Sequence, residues 1–92
     1  MTVEQLKAAR ALLGWGQKDL AAASGVSLPS IGRMEMNSGP LRGYERTISA
    51  LREALEQAGV EFLASGTTSP DGGEGVRLRN ARIAVLGEDS AR

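Results

Sequence analysis

Along the first two thirds of the chain, apolar residues recur in steps of three and four. Val3, Leu6, Ala9 and Leu13 are separated by Glu4, Lys7 and Arg10, the spacing of one face of an α-helix. Thr2 and Gln5 precede that face in a capping-box pattern, where hydroxyl and amide each satisfy a free backbone N–H, and Gly14 can end the helix in a left-handed conformation. A second, shorter helix is expected from Gln17 to Ala23, with Asp19 in its first turn and Leu20 and Ala21 facing inward. Ser24-Gly25-Val26 breaks it. Ser27 is the expected N-cap of a third helix reaching about Met36, Pro29 occupies the first turn where its missing N–H costs little, and Ile31 and Met34 form the buried side. Gly32 and Pro29 predict that this third helix is only marginally held. After the turn residues Asn37 to Pro40, the strongest pattern spans Tyr44 to Ala58. There Tyr44, Ile48, Leu51, Leu55 and Ala58 step by four, three, four and three, and Gly59 stops the helix.

Beyond Gly59 the period changes to two. Val60, Phe62 and Ala64 alternate with Glu61, and Val76 and Leu78 alternate with Arg77 and Arg79, so two short strands are expected around a loop from Ser65 to Glu74. Ile83 to Leu86 fits either a third strand or a helical turn. Three units follow: residues 1–59 as a helical domain, 60–86 as a β-rich extension and 87–92 as a tail.

Composition narrows the chemistry. The 92 residues contain no cysteine and no histidine, which removes disulfides, thiolate zinc sites and imidazole catalysis. No catalytic residues, metal ligands or cofactor are expected. The Gly14-x-Gly16 pair lacks the third glycine of a dinucleotide fingerprint, and Gly72 to Gly75 is not followed by the Lys-Ser or Lys-Thr of a phosphate loop. No stretch approaches the roughly 20 apolar residues that span a bilayer. The expectation is a soluble, cytoplasmic chain that is not an enzyme and has no membrane partner.

Net charge is zero, yet residues 1–46 hold six cations against four anions while residues 47–92 hold five against seven. The first half is therefore the candidate for an anionic partner. Its most informative feature is the pair of short helices joined by Ser24-Gly25-Val26. A steeply crossed helix pair needs a small residue at the crossing, a turn residue that tolerates positive φ, and an apolar plug after it. Ala21, Gly25 and Val26 meet those demands in order.

The run Gln17-Lys18-Asp19-Leu20-Ala21-Ala22-Ala23-Ser24-Gly25-Val26-Ser27, continued by Ile31, Arg33, Met34 and Glu35, resembles the Cro/C1-type helix-turn-helix regulators, also called the xenobiotic-response-element family. The likeness extends over about residues 3 to 58. It implies a mainly α, lambda-repressor-like domain of four helices, here with a short C-terminal β-rich extension, that binds double-stranded DNA as a homodimer on an inverted repeat and regulates transcription as a repressor. Gly16 stands where family members carry a Ser or Thr cap, and Leu28 and Pro29 make the tip of the third helix unusually apolar.

The candidate DNA-binding residues are Gln17, Lys18, Ser27, Leu28, Pro29, Ser30, Arg33, Arg42, Tyr44 and Arg46. Gln17 fits a phosphate at a helix N-terminus or an ordinary solvated position; Arg33 fits a base, a phosphate, or an ion pair near Glu35 or with Asp19. Trp15 reads as a core plug. Val60, Phe62, Val76, Leu78, Ile83 and Val85 are the candidate dimerisation residues, because a lone hairpin is marginal and its open edges invite a partner strand; a hairpin folded back on its own domain is the alternative. Two other functions share this pattern: an antitoxin that binds DNA and a toxin, and a protein-interaction module that binds no DNA.

Overall fold

The computed structural model describes residues 1–66 and 71–79. Their order is α1 (Val3–Leu13), α2 (Gln17–Ser24), α3 (Leu28–Glu35), α4 (Glu45–Gln57), β1 (Val60–Leu63) and β2 (Gly75–Leu78). Ile83 and Val85, and the choice between strand and turn at Ile83 to Leu86, lie outside the described residues.

Local chemistry sets the helix ends. The Thr2 hydroxyl accepts the Gln5 N–H at 3.0 Å while the Gln5 side-chain oxygen accepts the Thr2 N–H at 2.9 Å, so both free donors at the start of α1 are satisfied. At its other end Gly14 is left-handed (φ 68°), its N–H reaching the Ala11 carbonyl and that of Trp15 the Arg10 carbonyl. Gly16 has no side chain to cap α2, but its own N–H donates to the Asp19 carboxylate at 2.8 Å. Ser27 caps α3 through the Ser30 N–H, and α3 runs unbroken through Gly32.

The helix-turn-helix joint forms as its residues require. Gly25 sits at φ 77° and its N–H returns to the Ala21 carbonyl at 2.9 Å. The Ser24 hydroxyl donates to the Leu20 carbonyl and accepts the Val26 N–H, so the turn's polar groups are occupied locally. Ala21 and Val26 then pack against the common core.

That core is aliphatic: Val3, Leu6, Leu20, Ile31, Leu51, Leu55 and Val60 are almost wholly excluded from solvent. Leu13, Trp15 and Ile48 pack against it partly buried. One position departs from the expected stripe of α4. Tyr44 is 78% exposed, and Ala54 is buried in its stead on that helix. The reason is that Tyr44 is the N-cap, with extended backbone (φ −65°, ψ 141°), so its side chain does not project along the helix face.

β1 and β2 form an antiparallel hairpin pairing Val60 with Leu78, Glu61 with Arg77, Phe62 with Val76 and Leu63 with Gly75. Ala64 falls just beyond β1. Val60 enters the core, and Phe62, Val76 and Leu78 pack on it partly buried. The apolar face of the hairpin is thus turned onto the chain's own helices and is not offered outward. Gln5, itself 7% exposed, fastens the hairpin to α1 by donating its amide to the carbonyls of Leu63 (3.2 Å) and Gly75 (3.0 Å). On the outer face Arg77 pairs with Glu61 at 2.9 Å.

Candidate nucleic-acid interface

Ser27, as the cap of α3, and Ser30, one turn later, share a hydrogen bond between their hydroxyls at 2.9 Å, and the Arg33 guanidinium donates to the Ser30 hydroxyl at 3.3 Å. These three side chains form one polar line along the exposed side of α3. Leu28 and Pro29 sit beside its tip, both exposed.

Across a shallow concavity from this line lies the segment leading into α4. Ser30, Arg33, Asn37, Arg42 and Tyr44 all line it, so four of the expected DNA-contacting residues, Ser30, Arg33, Arg42 and Tyr44, converge on one surface although 14 positions separate the first from the last. Lys18 near the start of α2 and Arg46 in the first turn of α4 are exposed, but neither lines that concavity. Tyr44 caps α4 without a side-chain hydrogen bond; the Thr47 N–H returns to the Tyr44 carbonyl at 3.0 Å, which leaves the N–H groups of Glu45 and Arg46 without a partner among the described residues, the arrangement that favours an anion.

Charge placement resolves the apparent neutrality. Among the described residues, the ion pairs join Arg10 to Glu35, Arg52 to Glu56 and Arg77 to Glu61. Lys18, Arg33, Arg42 and Arg46 have no such partner. Neither acidic residue considered for Arg33 reaches it: Asp19 accepts from Gly16 and Glu35 from Arg10. Four unpaired cations therefore lie on α2, α3 and the entrance of α4, with Lys7 on α1 and Arg79 after β2 likewise outside any ion pair among the described residues, whereas three of the carboxylates neutralise arginines elsewhere.

Gln17 is placed differently from a solvated first-turn residue. Its amide donates to Glu35 at 3.1 Å, inside a network in which Arg10 gives Glu35 two further bonds and donates to the Trp15 carbonyl at 3.0 Å. The side chain thus anchors the start of α2 to the end of α3. Burial by itself pushes the Glu35 carboxyl up, but hydrogen bonds from Arg10 and Gln17, with the charges of Arg10 and Lys7, outweigh it and hold the group below the usual glutamate range. Glu35 and Arg10 were not among the expected site residues. A Glu ending the family-like motif was visible in the sequence, but not its partner.

Among the described residues no group of three or more acidic, His or Cys side chains could hold a metal ion, and no helix is long and apolar enough to cross a membrane. No curated protein matches the chain. Residues 6–42, from α1 through α3 to the approach to α4, match a helix-turn-helix family model. With the Gly25 turn and the packing of α2 against α3 in place, residues 6–42 form a helix-turn-helix, the structure that this family model describes.

Proposed function

We propose that the chain is a transcriptional repressor that occupies an inverted-repeat operator as a homodimer, with α3 in the major groove. The observation that carries this reading is the convergence of Ser30, Arg33, Arg42 and Tyr44 on one open surface whose arginines lack carboxylate partners. Ser27, Leu28, Pro29, Ser30 and Arg33 face base edges in this arrangement: hydroxyls and guanidinium hydrogen-bond to them, and Leu28 and Pro29 meet thymine methyls. Lys18, Arg42, Tyr44 and Arg46 hold phosphates, joined by the free N–H groups at the start of α4. Gln17 supports α2 from behind through Glu35. Residues 1–59 make up the DNA-binding domain and residues 60–86 the extension that joins two copies. Two-fold pairing sets the recognition helices one DNA turn, roughly 34 Å, apart. Repression follows from occupancy of a promoter.

Selection from a random DNA pool, followed by fluorescence titration of the selected site at two salt concentrations, tests the reading. A palindromic site should emerge, and its affinity should fall steeply with salt as neutralised phosphates release counterions. Equally weak binding to every sequence would overturn the proposal.

A further inference from the structure

Arg42 stands in a segment that does not hold itself. Residues 36–44 join α3 to α4 outside any helix or strand, and Arg42 lies between Gly39 (φ 80°) and Gly43 (φ 154°), so local backbone preference does little to fix it. Among the described residues, the backbone hydrogen bonds of residues 38–43 all run to residues 1–4. The Val3 N–H donates to the Gly39 carbonyl at 2.8 Å and the Leu41 N–H to the Met1 carbonyl at 3.1 Å, an antiparallel bridge with Thr2 opposite Pro40. Pro40 loses nothing there, because the central pair of such a bridge exchanges no bonds and needs no N–H. The Gly39 N–H meanwhile donates to the Glu4 carboxylate, 3.1 and 3.3 Å from its two oxygens. Leu41, the residue before Arg42, is buried in the core. Residues 1–3 are anchored in turn: the Thr2 N–H donates to the Gln5 side-chain oxygen, and the Gln5 amide donates to the hairpin carbonyls of Leu63 and Gly75.

We propose that residues 1–4 act as a strap that positions Arg42 for a DNA phosphate, with Glu4 as its positioning residue. The inference rests on the DNA-binding reading above and gives a part in it to a segment outside the helix-turn-helix. Arg42 has no carboxylate partner among the described residues and lines the concavity beside Ser30 and Arg33, so its guanidinium is available. The backbone from which it reaches is tethered on one side by the strap and buried Leu41, and on the other by the cap of α4 at Tyr44. Ordering this backbone before DNA arrives lowers the entropic cost of the contact. Glu4 is exposed and joins no ion pair among the described residues; both its oxygens are turned instead to one N–H of the loop. Its charge provides a test of sign. By Coulomb's law alone a carboxylate on a DNA-binding chain opposes the phosphates, so Glu4→Ala and Glu4→Gln would bind DNA equally, and no more weakly than the parent. In the strap, what matters is the acceptor oxygen, which Gln keeps and Ala lacks, so Ala alone weakens binding. A role confined to the dipole of α1, in whose first turn Glu4 lies, would make Ala and Gln equally less stable, without any connection to Arg42.

Fluorescence titration of the intact chain on the duplex returned by pool selection tests this. Arg42→Ala should weaken binding about tenfold, the scale of one charge-assisted hydrogen bond, and Glu4→Ala about fivefold, while Glu4→Gln stays near the parent. In the Arg42→Ala background Glu4→Ala should add nothing, because the strap acts through that arginine. Glu4→Ala should also lower the salt slope by about one, as the loss of one phosphate contact does. Equal affinities of the Ala and Gln variants, or a Glu4→Ala loss that persists undiminished without Arg42, overturn the proposal. A second readout needs no DNA. Backbone order parameters of Leu41 to Gly43 should be about 0.85 in the parent and in Glu4→Gln, and below about 0.6 in Glu4→Ala. Order parameters that Glu4→Ala leaves unchanged likewise overturn the proposal. If the parent chain selects no duplex, the DNA-binding reading falls, and the order parameters decide by themselves whether the strap exists.

Discussion

The Arg10 guanidinium grips the Glu35 carboxylate through two bonds, at 2.8 and 2.6 Å, with the Glu35 side chain only 4% exposed. This pair joins the end of α1 to the end of α3, and Gln17 adds the start of α2 to the same carboxylate. Three helices thus share one ion. Removing either partner leaves the other charge stranded in a nearly dry site, whereas replacing both by apolar groups does not. Arg10→Met should cost about 3 kcal/mol in chemical denaturation, and the double variant Arg10→Met/Glu35→Leu should recover most of that loss. Equal stabilities of the single and double variants would contradict this account.

The same carboxylate sets an acid limit. Its folded pKa is depressed, so its stabilisation is fully present above the unfolded glutamate value of about 4.3 and is lost as pH falls below that towards the lower folded pKa. Glu61 is shifted down as well, by hydrogen bonding to Arg77, but it is exposed and solvent-screened and contributes little. Denaturation followed from pH 6 to pH 3 should show stability falling below about pH 4.3. Glu35→Gln should flatten that decline from a lower starting point.

Gln5 separates two jobs in a single amide. Its oxygen caps α1, and its nitrogen holds the hairpin. Glu at this position keeps the acceptor for Thr2 but turns a carboxylate towards two carbonyl oxygens. Gln5→Glu should therefore destabilise by about 3 kcal/mol at neutral pH, the scale of an unpaired buried charge, while leaving α1 helical. Acidification to pH 5 should restore part of the melting temperature, because the protonated acid can again donate one bond. A melting temperature independent of pH in that range would show that the amide is not the fastening.

Gly25 and Gly32 should respond oppositely to added side chains. At Gly25 there is open space but φ is +77°, where a β-branched residue is strained; Gly25→Val should lower stability by about 2 kcal/mol. At Gly32, within α3, an added Cβ would meet nothing closer than the Gln17 side-chain oxygen at 3.9 Å. Gly32→Ala should raise stability by about 1 kcal/mol through helix propensity. Thermal melting of both variants checks the pair of signs.

The Arg33 side chain is exposed and, among the described residues, bonded only to the Ser30 hydroxyl, so Arg33→Ala should leave the melting temperature unchanged. On DNA it should lose about 1 to 3 kcal/mol, concentrated at one operator position, as expected for a bidentate contact to guanine. A loss spread uniformly over all sequences would assign this side chain to a phosphate.

The parts of this fold that the amino-acid order determined by itself are those whose partners lie within a few residues. The Thr2–Gln5 box, the Gly14 and Gly25 stops, the Ser27 cap and the two alternating strands each depend on contacts three or four positions apart or on a backbone preference, so they are legible in the sequence. The bond from Gly16 to Asp19 is equally local, although the sequence reading saw in Gly16 only a missing cap. The tertiary structure decided where polar side chains end up once those elements pack. Glu35 finds Arg10 across 25 positions, and the Gln5 amide reaches carbonyls 58 and 70 positions away. Gln17 joins Glu35 because the packing of α2 against α3 brings it there. Tyr44 fits the spacing of the apolar stripe yet faces solvent, since α4 begins one residue later and an N-cap does not share the helix's angular register. Whether an alternating strand turns its apolar side to its own helices or to another molecule is likewise invisible to a pattern of period two. It depends on which uncovered surface is nearest in space, and here that surface belongs to α1 and α4.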